Sequence, residues 1–332
     1  MIQGEFSKGT KAPALVPGLV SIGIPTFERA GLLRRAIESA LRQTYRSLEI
    51  IVSDNASTDQ TRGVVDEYRS DPRLAYFLQP RNVGGFANVN FCLEKARGEF
   101  WLFLADDDWL EETAIERLLR GFHSPEVVMA TGGTRIIGPG DALIREALPP
   151  VAGTIGGADF IRRRLKYEIG MYPSSELFRA SVVLGAGGYK HFFHTDLILE
   201  IEAAIAGKIH VEPGVVCNYR LHGANAVTNR AVYQAWGYQS CVEIVRRVAE
   251  VSNDGALVRF ARKRIATELL QACVTDSLVG HEEALPKARA ALAEIGYRGW
   301  FWRALAGLAA SRGGQFVYRF ARGTRKRLRK HP

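Results

Sequence analysis

The sequence predicts an α/β fold, a doubly wound and mostly parallel sheet flanked by helices, with a helical C-terminal extension. Three observations carry this reading. Short apolar runs of strand type alternate with helical periodicity through the first third of the chain, polar residues collect just after those runs, and helical spacing dominates beyond Asn229. Strand, helix, strand order calls for parallel pairing with crossover connections.

Taken in order, Leu19 to Ile24 is a short buried-strand pattern. Leu33, Ile37, Ala40 and Leu41 then mark one apolar helix face, and a second strand follows at Leu48 to Val52. A helix at Thr61 to Arg69, a strand at Leu74 to Leu78, a helix at Ala87 to Ala96 and a strand at Phe100 to Leu104 repeat the theme. Gly132-Gly133, Gly138 to Gly140, Pro149-Pro150 and Gly153 punctuate weak strands at Val127 to Ala130 and Arg135 to Ile137, so loops are expected there. Helices at Ala158 to Lys166 and Leu197 to Ala206 and strands at Ile209-Val211 and Val215-Tyr219 complete the larger domain. The expected boundaries are an N-terminal extension over 1–18, a catalytic domain over 19–228 and a helical region over 229–332 that ends in a basic aromatic tail.

At 47% hydrophobic and 24% charged, the composition is that of a globular protein with a sizeable core. Residues 1–18 never reach the continuous apolar run of a signal peptide, and no stretch approaches a membrane-spanning length. Cys92, Cys217, Cys241 and Cys273 lack CxxC spacing and read as reduced core thiols of a cytoplasmic protein. The net charge of +9 belongs to the tail, because after Glu294 ten Lys or Arg residues occur with no Asp or Glu. With Trp300, Phe301, Trp302, Phe316, Tyr318 and Phe320 among the arginines, that tail fits an anionic membrane surface. Its alternative is a solvated helix packed on the domain.

In an open parallel sheet, ligands bind outside the carboxyl ends of the strands. The first strand runs into Pro25-Thr26-Phe27-Glu28-Arg29, the second into Ser53-Asp54-Asn55, and the one ending at Leu104 into Asp106-Asp107-Asp108. Three successive carboxylates repel one another, and a cation relieves the repulsion. Hard oxygen ligands suit Mg²⁺ or Mn²⁺, and magnesium is usually held by one or two carboxylates plus substrate phosphates. A solvated acidic turn before Glu111 is the plainer alternative. Asp54 can accept from the imide N–H of a pyrimidine base, or it can close an Asx turn, with Ser57 and Asp59 as rival caps. Arg81, in a loop with Gly84 and Gly85, can reach phosphate.

Residues 19 to 222 resemble the family 2 glycosyltransferases with the GT-A fold. The resemblance lies in VSIGIPTFERAGLLRRAIESALRQTYRSLEIIVSDNASTD, NVGGFANVNFCLEKARGEFWLFLADDDWL and GGYKHFFHTDLILEIEAAIAGKIHVEPGVVCNYRLH, in the family's order. The opening is similar to bacterial transferases that build surface polysaccharides. The resemblance implies that Pro25, Thr26 and Glu28 line the nucleotide site, Asp54 bonds the base, and Arg81 approaches the base or diphosphate. It gives the metal contact to Asp108, with Asp106 and Asp107 on ribose or metal-bound water and Asp106 as a further metal ligand. Ala105 stands where the family's Asp-x-Asp-Asp motif has its first Asp, and Val89 replaces the common basic residue before Asn90. The catalytic base falls on Asp196, with Thr195 in place of the family's Glu, and His222 faces the diphosphate or metal. Asp196 and Thr195 have a plainer reading too, as a helix N-terminus.

The resemblance therefore implies an inverting transferase that moves a sugar from a nucleoside-diphosphate donor, UDP being the expected nucleotide, to a hydroxyl of a glycan or lipid-linked acceptor. Asp196 takes the proton in a single displacement assisted by Mn²⁺ or Mg²⁺. The expected location is cytoplasmic, peripheral on the inner face of the membrane, with no nucleic-acid partner. Two other classes compete with this reading. A metal-dependent nucleotidyltransferase usually has a Gly-rich loop after its first strand, unlike Pro25-Thr26-Phe27-Glu28. A non-catalytic nucleic-acid-binding module leaves Asp54 and the acidic turn without a purpose.

Overall fold

The structure is a computed structural model, and it describes residues 14–170, 172–190, 194–222, 237–252, 254–278 and 284–297. The basic tail from residue 298 onward lies outside the described residues. The chain divides into two compact units, one over 1–191 and 195–228, the other over 192–194 and 229–332.

The first unit opens with β1 (Val16–Thr26), α1 (Ala30–Leu41), β2 (Leu48–Asp54), α2 (Thr61–Asp66), β3 (Leu74–Leu78), α3 (Gly85–Lys95) and β4 (Gly98–Phe103). The order β3-β2-β1-β4 is parallel throughout, and Thr26 sits opposite Asp54 at the carboxyl ends of β1 and β2. It continues with β5 (Trp109–Leu110), α4 (Ala114–Leu119), β6 (Val127–Ile137), β7 (Leu143–Ala147), β8 (Gly153–Ile155), α5 (Gly157–Leu165), β9 (Glu176–Arg179), α6 (Ala180–Gly185), α7 (Thr195–Ala206) and β10 (Lys208–Arg220). Val20, Ile22 and Ile24 of β1 and Ile50 and Val52 of β2 meet Leu33 and Ile37 of α1, the face expected from their spacing. Leu102, Leu104, Leu118, Leu177 and Val216 extend this core across the sheet.

Three expectations need correcting. The predicted loop around Gly132-Gly133 is the middle of one continuous strand, β6. The glycines do not break it, because they admit the neighbouring strand: a Cβ on Gly132 would come within 2.8 Å of the Val216 side chain. Likewise the two strands predicted around Pro213-Gly214 are one, β10, with irregular register between Glu212 and Val215. The Arg117 guanidinium secures that bulge, donating to the carbonyl of Val215 at 2.8 Å and to Glu212 at 2.7 Å. The third concerns Thr61 to Arg69, where the helix ends at Asp66 and hydrogen-bonded turns carry the chain on to β3.

The mostly parallel sheet also carries antiparallel strands. β9 lies antiparallel between β4 and β6, β5 and β8 are antiparallel to β10, and β6 and β10 are parallel. The second unit is helical where described: α8 (Tyr238–Val251), α9 (Gly255–Leu278) and α10 (Ala284–Glu294). Ile244, Val248, Leu257, Ala261, Ile265, Leu269, Ala288 and Leu292 are buried in it. Asp254 accepts from the N–H groups of Ala256 and Leu257, capping the start of α9. All four cysteines are free and buried, and no helix among the described residues is long and apolar enough to cross a membrane.

Candidate active site

The end of β1 reaches the acidic turn directly. Thr26 Oγ1 donates to Asp106 Oδ2 at 2.7 Å, and one nitrogen of Arg29 lies 3.0 Å from both Asp106 Oδ1 and Asp107 Oδ2. Arg29 was not singled out from the sequence, although it ends the Pro25 to Arg29 segment that faces the crevice. From the end of β10, His222 Nε2 comes within 2.8 Å of Asp107 Oδ2. Strands β1, β4 and β10 therefore deliver their carboxyl-terminal residues to one place.

Asp108 is turned inward. Its Oδ2 accepts from the Ser174 hydroxyl at 2.7 Å and its Oδ1 from the backbone N–H of Arg220 at 3.0 Å. Ser174 Oγ also accepts from the N–H of Ala105 at 3.1 Å, which fixes the turn from behind. Burial, with the charge of Asp107 beside it, pushes Asp108 up to about 8. Asp106 rises to about 6, again mainly through burial; Arg29 opposes the shift and Asp107 adds to it. Just past the turn, Trp109 carries the guanidinium of Arg35 at 3.4 Å from its ring centre and that of Arg220 at 5.0 Å. Both arginines also pair with Asp141.

The loops after β1 and β2 are tied together. Glu28, at a φ of +53°, accepts through Oε1 from the N–H and hydroxyl of Thr58, while its own N–H donates to Ser57 Oγ at 2.9 Å. Asp59 accepts from the N–H of Ala30 and from Thr61, joining the starts of α1 and α2. Asp54 is buried. Its Oδ1 accepts from the N–H of Ser57, three residues on, at 2.8 Å and so closes the turn after β2, and its Oδ2 accepts from the Tyr76 hydroxyl at 2.8 Å. Pro25 is half-buried opposite Ser53, and Arg81 is exposed in the loop leading to α3.

Asp196 lies in the first turn of α7. It retains some surface, yet enough protein surrounds the carboxyl that burial lifts it to about 7; the charge of Glu200 adds to the rise and Arg164 opposes it. Tyr219, near the end of β10, is pushed up mainly by burial and also feels the charges of Asp108, Asp107 and Asp196. Neighbouring Thr195 is buried, and its hydroxyl has no hydrogen-bond partner among the described residues.

The acidic turn fits a hard divalent cation. Among the described residues, Arg29 contacts Asp106 and Asp107 and His222 contacts Asp107, and carboxylate oxygen with imidazole nitrogen is a donor set that Mg²⁺ or Mn²⁺ accepts. Among the described residues no three such side chains converge on one point. A cation here would thus draw its remaining ligands from a substrate, as magnesium commonly does.

The sequence model of the family described as Glycosyl transferase family 2 matches residues 21–182. The chain carries a family 2 glycosyltransferase domain. Over 103 residues it is 44% identical to a GalNAc(5)-diNAcBac-PP-undecaprenol beta-1,3-glucosyltransferase of Campylobacter jejuni, covering 30% of this chain and 33% of that one. A chondroitin synthase of Pasteurella multocida is 34% identical over 129 residues, 38% of this chain and 13% of the relative. The chain thus spans a third or less of the length of these curated relatives. Among solved structures, S. aureus TarS 1-349 in complex with UDP-GlcNAc aligns with a TM-score of 0.66 at 16% identity, covering 89% of this chain and 88% of that one. The fold of this glycosyltransferase domain is GT-A, a mostly parallel sheet flanked by helices.

Proposed function

We propose that this chain transfers a sugar from a nucleoside-diphosphate donor to a hydroxyl group of a glycan or lipid-linked acceptor, with inversion at the anomeric carbon. The observation that carries this is the convergence of Thr26, Arg29, Asp106, Asp107 and His222 at the strand ends, with Asp196 near enough that its charge and those of Asp107 and Asp108 all act on Tyr219. Acceptors of this kind are named for the Campylobacter relative, and the TarS neighbour was solved with UDP-GlcNAc. A mannosyltransferase of Pyrobaculum calidifontis with the same fold was solved with GDP-Man and Mn²⁺, at a TM-score of 0.51 and 19% identity.

In this reading Asp54 and the loop it closes meet the base, with Pro25, Thr26 and Glu28 lining the nucleotide and Arg81 reaching the diphosphate from its exposed loop. Asp107 and His222 are the side chains best disposed to hold Mn²⁺ or Mg²⁺, since both oxygens of Asp108 are already engaged with Ser174 and Arg220. Such a cation would offset the charge that develops on the departing diphosphate. Asp106 sits between Thr26 and Arg29, where it keeps Arg29 beside the phosphates.

The acceptor oxygen attacks the anomeric carbon from the face opposite the diphosphate, its proton passes to a carboxylate oxygen of Asp196, and the carbon–oxygen bond to the diphosphate breaks with its electron pair leaving on the diphosphate. One base and one displacement suffice, so no covalent enzyme intermediate forms. A carboxyl lifted to about 7 is well matched to this role, because a stronger base takes a hydroxyl proton more readily and is still ionised just above neutrality.

Thermal-shift measurements with UDP, dTDP, GDP and CDP, each with Mn²⁺, Mg²⁺ or EDTA, test the donor reading. One nucleotide should stabilise the protein with metal and much less with EDTA. Equal stabilisation in both would overturn metal-assisted donor binding.

A further inference from the structure

Glu200 lies one helical turn beyond Asp196 on the same side of α7. Behind it, Arg164 of α5 grips both carboxylate oxygens of Glu200 through Nε and NH2, a planar fork on a planar acid. The remaining nitrogen of Arg164 donates to the carbonyl of Ile169 at 3.1 Å, so the guanidinium has no freedom to turn. Both side chains of the pair are only 1% exposed. A third acid, Glu176 at the start of β9, is buried against Glu200 and hydrogen-bonded to it. Two acids share one cation there. Burial and the charge of Glu200 push Glu176 well above the usual carboxyl range, which makes it the donor in that bond.

A buried ion pair is seldom more stabilising than apolar side chains of the same volume. Stability alone gives no reason for this triad, but its position does. We propose that Arg164 and Glu200 are positioning residues for Asp196: they hold a fixed pattern of charge one helical turn behind its carboxyl and thereby set the pH at which it accepts a proton. The inference rests on the reading of Asp196 as the general base.

Among the described residues, the charged and titratable groups near Asp196 include Glu200 from α7 itself, Arg164 from α5, Glu176 from β9, Tyr189 from the loop after α6 and Tyr219 from β10. The two tyrosines are pushed upward by burial and stay neutral. Burial favours the neutral form of Glu176 as well. Glu200 and Arg164 are therefore the pair whose opposed charges act on Asp196, one raising and one lowering its affinity for a proton.

The test is a ¹³C NMR titration of the full chain carrying ¹³Cγ-labelled aspartate, with the Asp196 signal identified by its loss in Asp196→Asn. Glu200→Gln should lower the Asp196 midpoint by about one pH unit or more, because the like charge is gone and the guanidinium now faces Asp196. Glu176→Gln should leave the midpoint where it is, since a neutral amide replaces a neutral acid. An unmoved midpoint in folded Glu200→Gln overturns the proposal. If Glu200→Gln does not fold, Arg164→Lys takes its place: it keeps the charge but loses the fork, so the midpoint should rise, and an unmoved value again overturns the proposal. Near-normal sugar transfer by Asp196→Asn would overturn the base assignment itself. Lost transfer in Asp196→Asn with an unmoved midpoint in Glu200→Gln would overturn only the role of Arg164 and Glu200.

Discussion

Two groups of buried carboxylates in the first unit are resolved in opposite ways. The acidic turn at Asp106 to Asp108 lies at the strand ends, where among the described residues Arg29 contacts Asp106 and Asp107 and His222 contacts Asp107. Glu200 and Glu176 are sealed between α5, α7 and β9, and there Arg164 forks onto Glu200 while burial favours the neutral form of Glu176. A deficit facing a crevice can be met by a ligand. A deficit closed inside the fold has to be met by the fold. Asp196 lies between these cases, partly at the surface yet under the field of the sealed pair, which is where a group that must both gain and lose a proton would be expected.

The largest effect should come from removing the proton acceptor. Asp196→Asn keeps size and much of the hydrogen bonding, so nucleotide-dependent stabilisation should persist while transfer falls by ~10²–10⁴. Turnover of the nucleotide sugar selected by the thermal-shift screen measures this. With wild type, turnover should rise as the pH is raised through about 7, since the ionised form of Asp196 does the work. If the variant retains full turnover, Asp196 belongs with the structural acids and the comparison collapses.

Next in size is the sealed group itself. Arg164→Met keeps much of the side-chain volume but leaves two buried acids without their cation, so the domain should lose ~3–5 kcal/mol in denaturant unfolding. Mutating the open group should behave differently: Asp107→Asn should change stability little and reduce metal-dependent nucleotide stabilisation. Equal losses of stability in the two variants would erase the distinction between open and sealed acids.

The open group was legible in the sequence and the sealed group was not, for physical reasons. Asp106 to Asp108 are consecutive and follow an apolar strand, so local order alone brings their charges together. Arg164 and Glu200 are 36 residues apart and meet only when α5 packs on α7. Arg29 and Ser174 were missed likewise, because one hydrogen bond across the fold leaves no spacing pattern. The strands follow the same rule. β3 was read residue for residue from its apolar run. β9 was not anticipated, since its four residues are held by β4 and β6 on either side and not by their own pattern. Glycines at 132 and 133 and the Pro213-Gly214 pair looked like breaks, because close approach to a neighbouring strand and a chain reversal call for the same residues.

The smallest expected effect concerns Asp54, a buried acid whose two oxygens are each satisfied by a neutral donor, the N–H of Ser57 and the hydroxyl of Tyr76. It carries neither the crowding of the acidic turn nor the sealed pairing of Glu200, so what it offers a ligand is its remaining lone pairs. Asp54→Ala should weaken nucleotide binding by ~1–3 kcal/mol, the scale of a hydrogen bond to a charged acceptor, without unfolding the domain. Tyr76→Phe separates the two roles of Asp54. It removes one donor to the carboxylate but leaves its bond to the Ser57 N–H intact, so nucleotide affinity should change less than in Asp54→Ala. Isothermal titration with the nucleotide that best stabilises the wild type measures both. Unchanged affinity in Asp54→Ala would confine Asp54 to the turn, and reading of the base would then fall to the backbone of residues 55–58 that this turn presents at the end of β2.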